Sequence, residues 1–217
     1  MKQNKIYLAL AGSLLCIGLL GSCTKDPLKN MTNEESRIYI TNYDSSVHFG
    51  SFKTYNISDS VAVINNGKLQ KRTLTATDAA FIQAVNDNMQ SRGYQLVAND
   101  EHPNLGINIS SVFNNQTGVI SYPSYWGYYN NYWDPYYWGY GGYDYYFPYV
   151  SYSVYQIREG ALSIDMVDLK DAGNNKKIEG VWNGLIRGEA IFNASTAASQ
   201  VKALFDQSPY ISTTGIH

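Results

Sequence analysis

Gly160-Ala161-Leu162-Ser163-Ile164-Asp165-Met166-Val167-Asp168-Leu169 is the stretch on which the fold turns. Side chains of an extended chain alternate between two faces, so Leu162, Ile164 and Met166 fall on one side and Ser163, Asp165 and Val167 on the other. Asp171-Ala172-Gly173-Asn174-Asn175 follows as a polar turn, and residues 178 to 191 carry the chain back. The pattern predicts an antiparallel hairpin.

Upstream, residues 37 to 43 alternate with Ile38 and Ile40 on one face and read as a strand. Residues 52 to 57 read as another, entered through Asp44-Ser45-Ser46 and Gly50-Ser51. Residues 61 to 64 form a short β-branched run closed by Asn65-Asn66-Gly67, a strong turn signal. The period then changes. Thr77 is the expected cap of a helix over residues 78 to 91, with Asp78 in its first turn. Phe81, Val85 and Met89, joined by Ile82, make one apolar stripe, and Gly93 supplies the C-terminal glycine. That stripe is read as core, not as a cofactor site. Residues 94 to 97 and 105 to 113 are expected strands, the second with Ile107, Ile109 and Ser111 facing one way. A last helix over residues 195 to 206 carries Val201, Leu204 and Phe205 and stops before Pro209. The order implies one α+β domain over residues 36 to 212, a mostly antiparallel sheet with two helices packed on one face.

The chain ahead of that domain reads as an address. Lys2 and Lys5 form a positive start, and residues 6 to 20 are apolar or small and carry no charge. This run suits a secretory signal and falls short of the roughly 20 residues a spanning helix needs. Leu20-Gly21-Ser22-Cys23 then has the form of a lipobox. A thiolate is nucleophilic enough to take a diacylglyceryl group, and small residues before it let the chain enter the peptidase. Cys23 is the expected lipidation site, residues 1 to 22 the signal peptide, and residues 23 to 35 a polar tether containing Pro27. The alternative is an ordinary signal peptide with a chance cysteine. Cys16 would leave with the signal, so the mature chain holds no disulfide pair. The two or three palmitate-type acyl chains of such an anchor hold firmly where one would not, at about 0.8 kcal/mol per buried methylene.

After the cut, 14 basic residues face 18 acidic ones, a formal charge of −4. The basic pairs Lys71-Arg72 and Lys176-Lys177 make no nucleic-acid footprint.

The most unusual segment runs from Tyr122 to Tyr155 and sets the insertion at about residues 121 to 155. It holds 14 of the 20 tyrosines and three of the four tryptophans, interleaved with Gly, Asn and Pro, and its only charges are Asp134 and Asp144. Neither period survives across it, so it reads as a long aromatic-rich loop. Rigid rings beside adaptable polar residues suit a binding surface, and ring faces also stack on sugars. Tyr125, Trp126, Trp133, Tyr136, Tyr137 and Trp138 are the candidate binding residues, for a glycan, cell-wall or protein partner. Two other readings stay open: a loop resting on lipid headgroups, and a low-complexity insertion with no specific ligand.

Nothing in the sequence assembles a catalytic constellation. Asp165 and Asp168 lie three apart on a strand and point to opposite faces. His48, His102 and His217 are scattered outside any metal-ligand spacing. Gly139-Tyr140-Gly141-Gly142 lacks the lysine and the strand-to-helix context of a phosphate loop. No cofactor or metal is expected.

Several short motifs occur in a telling order: Tyr43-Asp44 with Phe49, Phe52-Lys53-Thr54-Tyr55, Arg92-Gly93-Tyr94, residues 159 to 168, and Val181-Trp182-Asn183-Gly184. From about Arg37 to Pro209 this order resembles a family of bacterial lipoproteins, common in Bacteroidetes and catalogued only as a domain of unknown function (DUF4136). The chain departs from the family's middle-strand Asp-Leu with Asn104-Leu105. The resemblance implies a compact α+β lipoprotein domain and no activity. Two further matches go with it. Lys25-Asp26 is similar to a surface-export signal of such lipoproteins, and Thr24 replaces the aspartate that retains others at the inner membrane. The expected address is therefore the outer membrane, with either face open. Asp59-Ser60-Val61 resembles their O-glycosylation site, which makes Ser60 a candidate.

The sequence thus reads as a lipid-anchored, non-catalytic envelope module presenting an aromatic loop. The alternative is an envelope enzyme acting on cell-wall polymer.

Overall fold

The computed structural model describes residues 31–65, 68–113, 118–121, 144–146, 152–155 and 160–215, with backbone alone at 68, 118–121, 144–146 and 152–155. Residues up to Glu35 belong to one unit and those from Ser36 onward to a second. In the first, the Glu35 carboxylate accepts from Thr32 N at 2.8 Å and Thr32 Oγ1 at 3.0 Å.

The second unit opens with β1 (Ile38–Tyr43), a 3-10 turn at Phe49–Ser51 and β2 (Thr54–Ile57), followed by β3 (Val61–Asn65) paired antiparallel with β4 (Lys68–Thr73). Helix α1 (Ala76–Ser91) leads to β5 (Gln95–Leu96) and β6 (Leu105–Phe113). Strands β7 (Gly118–Ser121), β8 (Asp144–Tyr146) and β9 (Tyr152–Tyr155) come next. Then follow β10 (Ala161–Asp168), the short helix α2 (Ala172–Asn175), β11 (Lys177–Arg187) and α3 (Ala197–Asp206).

The predicted hairpin is the centre of the sheet. β10 pairs antiparallel with β11 on one side and with β6 on the other, and β1 adds antiparallel to β11. β2 and β3 join β6 in parallel, one beyond the other, and β5 joins β2 in parallel. The class is α+β as expected. The sheet is mixed, with its long ladders antiparallel and its short ones parallel.

Both long helices lie on one face for the reason their stripes gave. Phe81, Val85 and Met89 of α1 and Val201, Leu204 and Phe205 of α3 are buried in one cluster with Ile107, Ile109, Ile164, Met166, Trp182 and Ile186. Each such side chain contributes about 1.5–3 kcal/mol by leaving water. The cap of α1 is Thr75, not the expected Thr77. Asp78 N donates to Thr75 Oγ1 at 3.2 Å and Thr75 N donates to Asp78 Oδ2 at 2.7 Å, a reciprocal capping box that fixes the helix start two residues earlier.

Other boundaries move for local reasons. Gly188 at φ +130 and Ala190 at φ +50 turn the chain, so the returning strand ends at Arg187 and not at Ile191. The polar turn after β10 winds into α2, and the last helix enters through a 3-10 turn at Ala194–Thr196. β4, which follows the Asn65-Asn66-Gly67 signal, is an additional strand.

The family-like motifs have structural work to do. Arg92 donates to the carbonyls of Phe205 (2.7 Å), Ser208 (3.1 Å) and Ile211 (3.2 Å) and stands 5.1 Å over the Phe205 ring. It closes the C-terminal end of α3, whose last carbonyls have no partner within the helix. Gly93 takes φ +90, and a Cβ there would collide with Thr213 Oγ1. Tyr94 Oη donates to Phe49 O at 3.2 Å. Asn104 Oδ1 accepts from Lys53 N at 2.9 Å and from Thr54 N at 3.4 Å. That acceptor role is one an aspartate also fills, which accounts for the departure there.

Candidate functional site

On the sheet face away from the helices, the alternate positions of the three central strands carry polar side chains. Asn108 and Ser110 of β6, Ser163 and Asp165 of β10 and Asn183 of β11 are each at most 1% exposed. Register brings them together: Asp165 stands opposite Asn108 on one side and Asn183 on the other, and Ser163 stands opposite Ser110. Asn183 Nδ2 donates to Asp165 Oδ1 at 2.6 Å and to Ser163 Oγ at 3.0 Å, and Ser163 Oγ donates to Asp165 Oδ1 at 3.1 Å. Asn108 Nδ2 donates to Ser110 Oγ at 2.9 Å. Arg72 reaches in from β4, with Nη2 donating to Asn108 Oδ1 at 3.3 Å and Nη1 to Ser58 Oγ at 2.9 Å.

Burial pushes the Asp165 carboxyl up to about 8, against the lowering effect of its Asn183 and Ser163 donors. The seam therefore holds a proton at a buried acid near neutral pH. At 1% exposure that acid is a hydrogen-bond hub inside the sheet. The seam also contains a gap in its bonding. Asn42 and Asn183 are register partners across β1 and β11, yet among the described residues Asn42 Nδ2 and Asn183 Oδ1 each have no hydrogen-bond partner.

Asp168 stays apart from this seam. The β10–β6 register runs unbroken from Asp165 to Asp168, so the two fall on opposite faces. Its Oδ1 accepts from Lys170 N at 2.8 Å, and burial raises its carboxyl. His48 and His102 are exposed, the latter with left-handed backbone. Among the described residues no group of three or more His, Cys, Asp or Glu side chains is gathered as a metal site. Nor is any described helix long and apolar enough to cross a membrane, which says nothing of strands.

Of the residues singled out from sequence, Ser60 lies in the bend between β2 and β3. It is partly exposed, and its Oγ donates to Asp59 Oδ1 at 3.0 Å. Cys23, the Thr24-Lys25-Asp26 segment, His217, the Gly139–Gly142 run and the aromatic candidates Tyr125, Trp126, Trp133, Tyr136, Tyr137 and Trp138 lie outside the described residues. The base of the aromatic insertion is described. β7 and β9 pair antiparallel with Ser121 opposite Tyr152, so the two ends of the segment meet in one ribbon. Between them β8 pairs in parallel with β11, Asp144 opposite Lys177 and Tyr146 opposite Glu179. The segment is thus not a loop throughout: residues 144–146 and 152–155 are strands.

Sequence reasoning passed over the seam. The available signal was that Asn108, Ser110, Ser163, Asp165 and Asn183 sit in phase on strands otherwise apolar.

The model of the family described as "Domain of unknown function (DUF4136)" matches residues 40–210. A crystal structure of a DUF4136 family protein from Bacteroides thetaiotaomicron is 29% identical, with 82% of this chain and 98% of that one aligned at a TM-score of 0.66. A PDZ domain protein from Parabacteroides distasonis is 17% identical over 81% of this chain and 36% of its own, at a TM-score of 0.41. No curated protein matches the chain.

Proposed function

The chain belongs to the DUF4136 family, and from that premise we propose that it is a lipid-anchored envelope protein that binds a partner without catalysis. In this reading Cys23 carries the anchor in the outer membrane, and the aromatic insertion contacts a glycan, cell-wall or protein partner. The observation that carries it is the pairing of β7 with β9, together with β8 along β11. β8 joins a Tyr- and Trp-rich segment, whose only charges are Asp134 and Asp144, to β11 of the main sheet, and β7 with β9 closes its ends into one ribbon. Recognition surfaces gain affinity when their mobile parts are held in place beforehand.

A pull-down from native envelope tests it, comparing the full chain, a deletion of residues 122–143, and a combined Trp126→Ala, Trp133→Ala and Trp138→Ala variant. The expected result is a retained glycan or envelope protein that both variants lose while their bodies stay folded. Equal retention by all three proteins contradicts the reading.

A further inference from the structure

Where β1 ends, Tyr43 lies stacked on Tyr210 of the C-terminal tail, with ring centroids 3.9 Å apart and planes at 26°. Tyr210 is held from beneath. Its ring packs 5.4 Å from buried Phe49, and its hydroxyl donates to Ser208 Oγ at 3.2 Å. Ser208 in turn accepts from the indole of fully buried Trp182 at 2.9 Å. Tyr43 is itself 38% exposed. The pair is therefore a ring platform fixed through the core but open to solvent.

A depression of about 460 Å³ lies over this platform. Its polar rim comes from Ser45, Ser46 and His48, and among the described residues no Asp, Glu, Lys or Arg lines it. Ser46 Oγ donates to Asp44 Oδ1 at 2.6 Å, which turns its remaining lone pairs to the role of acceptor. The volume falls within the roughly 300–1,000 Å³ range of small-molecule sites. Ring faces, hydroxyl and imidazole groups at the rim and the lack of fixed charge match one chemistry. An uncharged sugar ring presents C–H faces that stack on tyrosine and hydroxyls that bond at its edge.

We propose that this depression is a binding subsite for a neutral pyranose unit of a glycan, stacked on Tyr43. The inference stands without the reading of the aromatic insertion, since no residue of 122–143 takes part. The two are neighbours along one strand: β11 pairs with Tyr43 at Trp182 and with Tyr146 at Glu179, about 10 Å apart at strand rise.

The test uses the purified full chain in detergent and a panel of glucose, mannose and N-acetylglucosamine tetrasaccharides, followed by saturation-transfer NMR and titration. At least one sugar is expected to bind. Tyr43→Ala should then weaken it about tenfold, whereas Tyr43→Phe, which keeps the ring, should stay within about twofold. Both substitutions fall on an exposed side chain, and near-UV circular dichroism checks that Tyr210 and Trp182 keep their packing. The combined Trp126, Trp133 and Trp138 alanine variant should retain this binding even if it loses the envelope partner. Binding of no sugar in the panel overturns the proposal. So does binding that Tyr43→Ala leaves unchanged, or binding of aromatic peptides in place of saccharides.

Discussion

Trp182 Nε1 donates to Ser208 Oγ across 2.9 Å while its indole lies over Gly184, where a side chain would have no room. One residue thus ties the central hairpin to the tail beyond α3. A Cβ at position 184 would collide with Trp182 Cη2 and stand 2.8 Å from Leu204 Cδ1. Gly184→Ala should therefore cost about 1–3 kcal/mol, the usual price of overpacking a core. Denaturant unfolding measures it, and a variant within about 0.5 kcal/mol of the parent, the range of ordinary surface substitutions, speaks against this packing.

The buried acid gives stability a pH dependence of known sign. Asp165 has a folded pKa of about 8, above its value of about 3.9 in an unfolded chain. The folded state therefore binds the extra proton, and its contribution is fully present below about pH 4 and is lost as pH rises through 8. Asp168 is shifted in the same direction by its own burial. Between pH 5 and pH 8 the parent's denaturation midpoint should fall. Asp165→Asn, which cannot ionise, should fall less, with the remaining slope due to Asp168 and other groups. Equal slopes for both proteins rule out Asp165 as the titrating group.

Ser60 stands in a partly exposed bend with its hydroxyl directed to Asp59, an accessible position for modification. The chain isolated from its own envelope should run slow on a denaturing gel, and Ser60→Ala should abolish the shift. A shift that survives the substitution places any glycan elsewhere.

The sequence spoke clearly where one period ran long. β6 matches its expected limits at Leu105 and Phe113, and the α1 stripe of Phe81, Val85 and Met89 is buried as the spacing required. β4 escaped notice because Lys68, Gln70, Lys71 and Arg72 give it no apolar face. Among the described residues it pairs only with β3, and a strand at the margin of a sheet tolerates such residues. Thr75-Ala76-Thr77-Asp78 carries the three-residue spacing of a capping box, and it is this spacing, not the adjacency of Thr77 to Asp78, that sets the helix start. The seam escaped for a deeper reason. Alternation tells which side chains share a face, not whether that face meets water. Ser163 and Asp165 proved as buried as Leu162 and Ile164.

Whether Cys23 tethers this domain to a membrane, as proposed, is read from intact-mass spectrometry of the protein purified from membranes. The expected product is a chain that begins at Cys23 and carries diacylglyceryl and acyl mass, with Cys23→Ser left unprocessed and unacylated. A chain with another mature N-terminus, or an unmodified Cys23, contradicts it.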